Sequence, residues 1–174
     1  PDELYQQIPI VKDVLTAFGV PVYEKQGFEA DDLIGTIAKL SPIETIIVSG
    51  DSDNFQLVDA KTKVYALRKG VKDTVLYDEA LVMEKYQGLK PKQLVDYRAL
   101  RGDPTDNIPG VLGIGEKTGM ELIKEYGTLD KVYDNLAFIK SKIREKLTQH
   151  KEQAFFSREL VEIYKNVPLD FNLE

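Results

Sequence analysis

Three short clusters of carboxylate side chains give this sequence its chemical character. They follow one another along the chain as Glu29/Asp31/Asp32, Asp51/Asp53 and Asp103/Asp106. Acidic residues are common in the first turn of a helix, which accounts for one or two members of the first cluster. Three neighbouring carboxylates repel one another and raise each other's pKa unless a cation offsets their charge. The clusters therefore predict a site for hard metal ions, which prefer oxygen ligands.

A glycine-containing turn follows the third cluster directly. Gly113 and Gly115 are able to take positive φ and let the backbone approach a bound group, and Glu116 to Tyr126 has the pattern of a helix. The first N–H groups of a helix have no internal partner and attract phosphates. The segment thus predicts a phosphate site, although a helix-to-helix turn with capping glycines explains the same pattern. It does not match a dinucleotide-binding fingerprint, because no clear strand precedes Gly113.

The composition limits the kinds of site that the chain can build. Its 174 residues are 43% hydrophobic, which is enough for a substantial core, and no apolar run is long enough to span a bilayer. There is no cysteine, which excludes disulfides and thiolate metal sites. His150 is the only histidine, which argues against the usual zinc sites. It lies in a charged helical stretch, so we expect it to face solvent.

The net charge of −6 does not argue against a nucleic-acid partner. Seven of the acidic residues belong to the three clusters, so the remainder of the chain is close to neutral. Basic residues outnumber acidic ones between Met83 and Arg101, which predicts a local basic face. The basic residues of that stretch are Lys85, Lys90, Lys92, Arg98 and Arg101.

The apolar pattern predicts the elements that position these clusters. An amphipathic helix covers Leu4 to Phe18, and Val20 to Glu24 is predicted to form a short strand. Gly27 leads into a second helix whose first turn holds the first cluster. Ile46 to Val48 is a continuous apolar run, typical of a strand buried on both faces of a parallel sheet. The second cluster follows that strand directly, where ligands bind in open α/β sheets.

The rest of the chain is predicted to be mostly helical. Lys63 to Leu67 and Thr74 to Tyr77 flank an Arg-Lys-Gly turn and predict a β-hairpin. Helical patterns follow from Asp78 onward and include one long stretch from Ile139 to Tyr164. The composition changes near Gly88, so we expect an α/β unit over residues 1–87 and a helical unit over residues 88–174.

Four segments carry a resemblance to a known family. FEADDL, VSGDSDNFQL, YRALRGDPTDNIPGV and GIGEKT closely resemble the 5′ nuclease domain of bacterial DNA polymerase I, a member of the flap endonuclease family, and the resemblance covers nearly the whole chain. It implies an α/β fold with a parallel-sheet nuclease core of the PIN-like or resolvase-like kind, followed by a helical subdomain with a DNA-binding helix-three-turn-helix element. It also implies an enzyme of replication and repair that hydrolyses phosphodiester bonds in DNA with 5′ flaps or branched ends, or in RNA primers.

The resemblance implies roles for residues by their position. The seven carboxylates are implied to hold Mg²⁺ or Mn²⁺ in two or more sites, as two-metal hydrolysis requires. The implied catalytic residues are Glu29, Asp31, Asp51, Asp53 and Asp106. The implied DNA-binding residues are Gly110, Gly113, Ile114, Gly115, Lys117 and Thr118, and a potassium ion is implied at the same element. The family further implies a monomer without membrane contact in the bacterial cytoplasm, associated with the nucleoid, and a polymerase domain in the same parent chain.

The chain departs from the family at its start. Family members begin with a strand that bears an aspartate, then supply a further aspartate and a helical arch, and this chain starts after them. We therefore expect a sheet that is incomplete at its N-terminus, and a chain that alone binds metal weakly and cleaves poorly or not at all. The alternative is a non-catalytic, structure-specific DNA-binding module. A phosphotransferase with Asp51 as nucleophile is a further alternative, but it leaves Asp103 to Thr118 unexplained.

Overall fold

The computed structural model describes residues 2–67 and 73–173. Within those ranges the chain forms a small sheet, eight α-helices and three short 3₁₀ helices. The strands are β1 (Thr45–Ser49), β2 (Thr62–Leu67) and β3 (Thr74–Tyr77). The α-helices are α1 (Asp2–Ala17), α2 (Ala30–Leu40), α3 (Glu79–Lys85), α4 (Leu94–Arg101), α5 (Glu116–Tyr126), α6 (Leu129–Asp134), α7 (Ser141–Gln149) and α8 (Lys151–Val161). The 3₁₀ helices are Ser52–Leu57, Pro91–Gln93 and Leu136–Phe138.

The sheet is mixed, with the strand order β1-β2-β3. β1 and β2 pair in parallel with Thr45 opposite Thr62, as expected for an α/β core. β2 and β3 pair antiparallel with Leu67 opposite Thr74, so the two strands of the predicted hairpin are present. The Arg-Lys-Gly turn of that hairpin lies outside the described residues. The second acidic cluster follows the carboxyl end of β1 in the chain.

β1 is buried on one face only, which corrects the prediction of burial on both faces. Ile47 is 5% exposed, whereas its neighbours Ile46 and Val48 are 54% and 63% exposed. Successive side chains of a strand point to opposite faces of a sheet. In the part of the chain that the structure describes, only the face that carries Ile47 meets the hydrophobic core.

The first predicted helix is present as α1, but the predicted strand after it is wrong. Residues 20–24 form no strand, and the backbone N–H of Val20 donates to the carbonyl of Leu15 at 2.9 Å. The apolar run therefore closes the end of α1 instead of joining the sheet. Gly19, at φ +69°, makes the reversal that this contact needs.

The helical half packs around α4, which contacts both α5 and α8. One core cluster extends from Ile47 in β1 to Ile163 beyond α8, and thus across the boundary predicted near Gly88. The predicted long helix from Ile139 to Tyr164 is instead two helices, because His150 takes φ −114° and ψ 26° between α7 and α8. The described helices include none with the length and apolar character needed to cross a membrane.

Candidate metal centre and glycine turn

The second acidic cluster begins the 3₁₀ helix that follows β1. Asp51 caps this helix, and its carboxylate accepts a hydrogen bond from the backbone N–H of Asp53 at 2.9 Å. The next residue, Asn54, is fully buried and donates from Nδ2 to Asp31 at 3.2 Å and to Ser49 Oγ at 3.3 Å. Asn54 therefore joins the first acidic cluster to the end of β1.

The first acidic cluster lies at the start of α2, where its members have different surroundings. Asp32 is tied to the backbone, since its Oδ2 accepts from Glu29 N at 3.2 Å and its Oδ1 accepts from Tyr164 N at 2.8 Å. Burial raises the pKa of Asp31, and the charges of Asp51, Asp32 and Asp106 raise it further against the hydrogen bond from Asn54. The charges that raise the pKa of Asp31 thus come from members of all three clusters.

The third acidic cluster sits in a tight loop after α4. Asp103 and Ile108 form an antiparallel bridge with backbone hydrogen bonds of 2.9 and 2.8 Å. Thr105 donates from its hydroxyl to Asp103 Oδ1 at 2.7 Å. Although burial opposes them, the hydrogen bonds from Thr105 hold the pKa of Asp103 below its usual value. Asp103 is thus a fixed, charged carboxylate, while Asp106 stands exposed at the tip of the loop.

The fold brings three of the seven predicted ligands into one group. Carboxylate oxygens of Asp53, Asp103 and Asp106 all lie within 4.8 Å of one another. Burial raises the pKa of Asp53 to about 6 against the pull of Arg98, and the charges of Asp51, Asp106 and Asp103 add to the rise. Like charges held this close favour a cation between them, so the all-oxygen donor set fits a hard divalent ion. Among the described residues, the other four predicted ligands are not members of this group; they are Glu29, Asp31, Asp32 and Asp51.

Arg98 belongs to this site, and its predicted place on a basic surface is wrong. It was expected on a basic surface, but its side chain is 3% exposed because α4 packs its inner face into the core. The guanidinium pairs with Asp53, donates to Ser52 Oγ at 3.0 Å and lies 3.9 Å from Asp103 Oδ2. Arg98 therefore places one positive charge and a fixed set of hydrogen-bond donors next to Asp53 and Asp103.

Two glycines allow the loop after α4 to turn back on itself. Gly102 and Gly110 have φ of +78° and +61°, and a Cβ on Gly110 would lie 2.2 Å from the nitrogen of Gly102. The backbone N–H of Gly110 donates to Ser157 Oγ at 3.1 Å, inside the core. Any side chain at residue 110 would therefore separate the turn from the loop that carries Asp103.

The remaining predicted turn residues lie between this crossing and α5. Gly113 has φ +81°, and its carbonyl accepts a hydrogen bond from Lys146 Nζ at 2.7 Å. Ile114 is 3% exposed and its N–H donates to Val111 O at 2.9 Å, so its side chain belongs to the core. Lys146, 33 residues away in sequence, is a turn contact that no local pattern indicates.

The start of α5 is open to solvent. Gly115 caps the helix at φ −93°, so the positive φ considered from the sequence occurs at Gly113 and not here. Among the described residues, no side chain caps α5, and a Cβ on Gly115 would meet none of their atoms within 4 Å. Lys117 is exposed and Thr118 is half-buried in the first turn. The first N–H groups of α5 are thus available to an external acceptor.

Gly110→Ala is expected to lower the stability of the fold by about 2 kcal/mol or more. The left-handed backbone alone costs a residue with a Cβ about 1–2 kcal/mol, and the contact with Gly102 adds to this cost. Gly115→Ala is the matched control and is expected to cost about 1 kcal/mol or less, because it replaces only the N-cap of α5 and the φ of −93° at this position suits any residue. Urea unfolding of both variants measures the difference. Equal unfolding midpoints would show that the close approach of Gly110 to Gly102 is not required.

Comparison with known proteins identifies relatives of both halves of the chain. The sequence-family model of the 5′-3′ exonuclease N-terminal resolvase-like domain matches residues 1–87. The sequence-family model of the 5′-3′ exonuclease C-terminal SAM fold matches residues 89–174. DNA polymerase I of Caldicellulosiruptor bescii is 45% identical over 179 residues, which cover 100% of this chain and 21% of that protein. The chain therefore spans about a fifth of the length of the curated relatives that it matches.

Solved structures share the same architecture. The T5 D15 protein co-crystallized with metal ions matches with a TM-score of 0.79 at 26% identity, covering 92% of this chain and 60% of that chain. The catalytic core of Rad2 in complex with DNA substrate matches with a TM-score of 0.61 at 27% identity, covering 95% of this chain and 57% of that chain. The α/β core followed by a helical unit, as expected from the sequence, is confirmed.

Proposed function

Because the chain belongs to the 5′-3′ exonuclease family, we propose that it forms part of a structure-specific 5′ nuclease that hydrolyses phosphodiester bonds in DNA. The observation that carries this proposal is the group of Asp53, Asp103 and Asp106, because the loop that holds the last two continues into the glycine turn before α5. A group of carboxylates suits a hard divalent cation, and an open helix start suits a phosphate. Together they suit the binding of nucleic acid beside a metal.

Mg²⁺ or Mn²⁺ is the cofactor that fits these donors, because every one of them is a carboxylate oxygen. The proposed ligands are Asp53, Asp103 and Asp106 for one ion, and Glu29, Asp31, Asp32 and Asp51 for a second. When bound, such ions stabilise charge on the attacking and leaving oxygens of a phosphodiester. The chain's own part is to hold its carboxylates in place, Asp53 through Arg98 and Asp103 through Thr105.

The duplex part of the DNA is proposed to bind at the glycine turn through its phosphates. The open start of α5 offers backbone N–H groups, and Lys117 offers a charge beside them. Thr118 adds a hydroxyl in the same turn, whereas Ile114 contributes only backbone because its side chain is buried. A potassium ion on the carbonyls of this turn would share the Gly113 carbonyl with the ammonium group of Lys146.

The relatives suggest the setting of this activity. They are DNA polymerases I, and the T5 and Rad2 structures contain metal ions or DNA substrate. We therefore propose a monomeric bacterial cytoplasmic protein, associated with the nucleoid, that has a polymerase domain in the same natural chain. Its substrates are DNA with 5′ flaps or branched ends, and RNA primers. Residues 1–87 are proposed to supply five of the carboxylates, and residues 88–174 the other two and the duplex-binding turn.

Gly115→Ala is expected to weaken binding of duplex DNA about fivefold or more, which corresponds to about 1 kcal/mol. The added methyl group lies where the backbone at the start of α5 would meet a phosphate, while the fold itself leaves that space open. Fluorescence anisotropy with a labelled duplex at fixed salt measures the affinity. Unchanged affinity would mean that the backbone at residue 115 does not approach the DNA.

The experiment that tests the proposed function is cleavage of a 5′-labelled flap substrate by the full-length natural protein. We expect short 5′ products with Mg²⁺ or Mn²⁺ and none in EDTA, because the donors that surround the site are carboxylates that act through a metal. Binding of the same substrate is expected to weaken steeply as salt rises, because phosphate contacts release counterions. Cleavage that continues in EDTA would contradict the proposal. Binding without cleavage at any metal concentration would favour the non-catalytic DNA-binding module instead.

A further inference from the structure

α8 contacts both parts of the proposed site within one helical turn. Ser157, which is fully buried, accepts a hydrogen bond on Oγ from the backbone N–H of Gly110 at 3.1 Å. Four residues later, the carbonyl of Val161 accepts from Gln56 Nε2 at 2.9 Å. Four residues of an α-helix span about 6 Å, so the glycine turn and Gln56 contact α8 about one helical turn apart.

Gln56 ties the end of α8 to the loop that carries the second acidic cluster. Its side chain is 5% exposed, and both ends of its amide are used, because Oε1 also accepts from Ile163 N at 3.1 Å. Gln56 belongs to the 3₁₀ helix that Asp51 caps and that contains Asp53. Its two hydrogen bonds to backbone therefore fix α8 relative to these two proposed ligands.

The extended segment after α8 continues the connection to the first acidic cluster. Tyr164 N donates to Asp32 Oδ1 at 2.8 Å, and Val167 N donates to the buried hydroxyl of Thr36 at 3.1 Å. Thr36 and Asp32 both belong to α2. The same stretch of chain thus contacts the glycine turn, the 3₁₀ helix that carries the second cluster, and α2 with the first cluster, in succession.

We propose that α8 is a spacer that sets the distance between the glycine turn and the carboxylates, with Ser157 and Gln56 as its positioning residues. This rests on the proposed function, in which the turn holds duplex phosphates and the carboxylates hold the metals. A fixed distance between the two selects one phosphodiester bond for hydrolysis. The spacer therefore determines the position of the cut relative to the duplex, through two residues that are buried.

The test is the distribution of product lengths from a 5′-labelled flap substrate cut by the full-length natural protein. Gln56→Met removes both hydrogen bonds, Gln56→Glu retains the acceptor for Ile163 N, and Ser157→Ala releases Gly110. Each is expected to spread the products over neighbouring positions and to lower kcat about 10-fold, since a misplacement of about 1 Å can cost about 100-fold. KM for the substrate is expected to change by less than about threefold in the Gln56 variants, because their substitution lies outside the glycine turn and α5.

The matched control is Gln93→Met, which removes a similar glutamine contact elsewhere. Gln93 Nε2 donates to the backbone carbonyl of Gly127 at 2.9 Å, at the end of α5 that lies away from the glycine turn. This variant is expected to keep the wild-type product position. Thermal unfolding of all four variants shows which of them are folded, and Ser157→Ala, which removes a single hydroxyl, is the mildest of the three spacer variants.

The outcomes separate this proposal from the function on which it rests. A wild-type protein that gives no metal-dependent product contradicts the proposed function itself. A wild-type protein that cuts at one position, together with folded Gln56 and Ser157 variants that cut at the same position and rate, overturns the spacer. Product spreading by Gln93→Met to the same extent also overturns it, because general loosening would then explain the effect.

Discussion

Asp106→Asn is expected to lower the rate of DNA cleavage by about 100-fold or more, while DNA affinity stays within about threefold. Asp106 lies in the carboxylate group with Asp53 and Asp103 but is exposed, so its amide variant should fold normally. A 100-fold loss corresponds to about 2.7 kcal/mol of transition-state stabilisation, which is within what a bound metal supplies. Single-turnover cleavage in Mg²⁺ measures the rate, and anisotropy in EDTA measures the affinity.

Asp134→Asn is the control for the change in charge. Asp134 is the last residue of α6, exposed and outside the three acidic clusters, so its variant is expected to cleave like the wild type.

Raising the Mg²⁺ concentration is expected to recover part of the activity of Asp106→Asn, because a weakened site fills at higher metal concentration. Wild-type cleavage by Asp106→Asn would remove Asp106 from the ligands. An equal loss of binding and cleavage would place Asp106 in the duplex-binding turn instead.

The elements that were predictable from the sequence are those whose pattern is decided locally. α5 begins at Glu116 and ends at Tyr126 as predicted, because its apolar spacing and flanking glycines mark both ends. The break at His150 was not predictable in this way, since helical apolar spacing continues on both sides of it. Exposure of Ile46 and Val48 was missed for a similar reason, because an apolar run does not reveal which face meets a core.

The candidate site also has some features that the local sequence predicts and others that only the fold determines. The members of each acidic cluster stand close together in the sequence, so local spacing was enough to single out these carboxylates. The group that forms joins Asp53 to Asp103 and Asp106 from a distant loop, which local spacing does not indicate. That the group binds a metal stays a prediction. The contacts that hold the glycine turn in place join residues far apart, such as Gly113 with Lys146 and Gly110 with Ser157, which are 33 and 47 positions apart. Nothing in the residues around Arg98 distinguishes it from the exposed basic residues nearby. Its burial follows from how α4 packs, which only the fold determines.

Arg98→Leu is expected to lower the stability of the fold by about 3 kcal/mol, because it leaves the half-buried Asp53 and the buried Asp103 without their cation. Arg101→Leu is the control from the same helix. Its guanidinium lies 6.0 Å from the ring centre of Tyr97, a contact that contributes about 1 kcal/mol or less. Urea unfolding of the two variants measures the difference. Equal losses of stability would mean that the pairing with Asp53 contributes no more than an ordinary surface contact.

The Mg²⁺ dependence of Arg98→Leu separates two roles of this residue. A positive charge beside a metal site opposes the metal, so if charge alone mattered, its removal would lower the Mg²⁺ concentration needed for cleavage. If Arg98 instead holds Asp53 in position, the variant requires more Mg²⁺ and cleaves more slowly even at saturation. We expect the second result, because the guanidinium contacts Ser52 and Asp53 together and fixes their geometry. Arg98→Lys keeps the charge but loses the planar set of donors, so it is expected to recover stability more than rate.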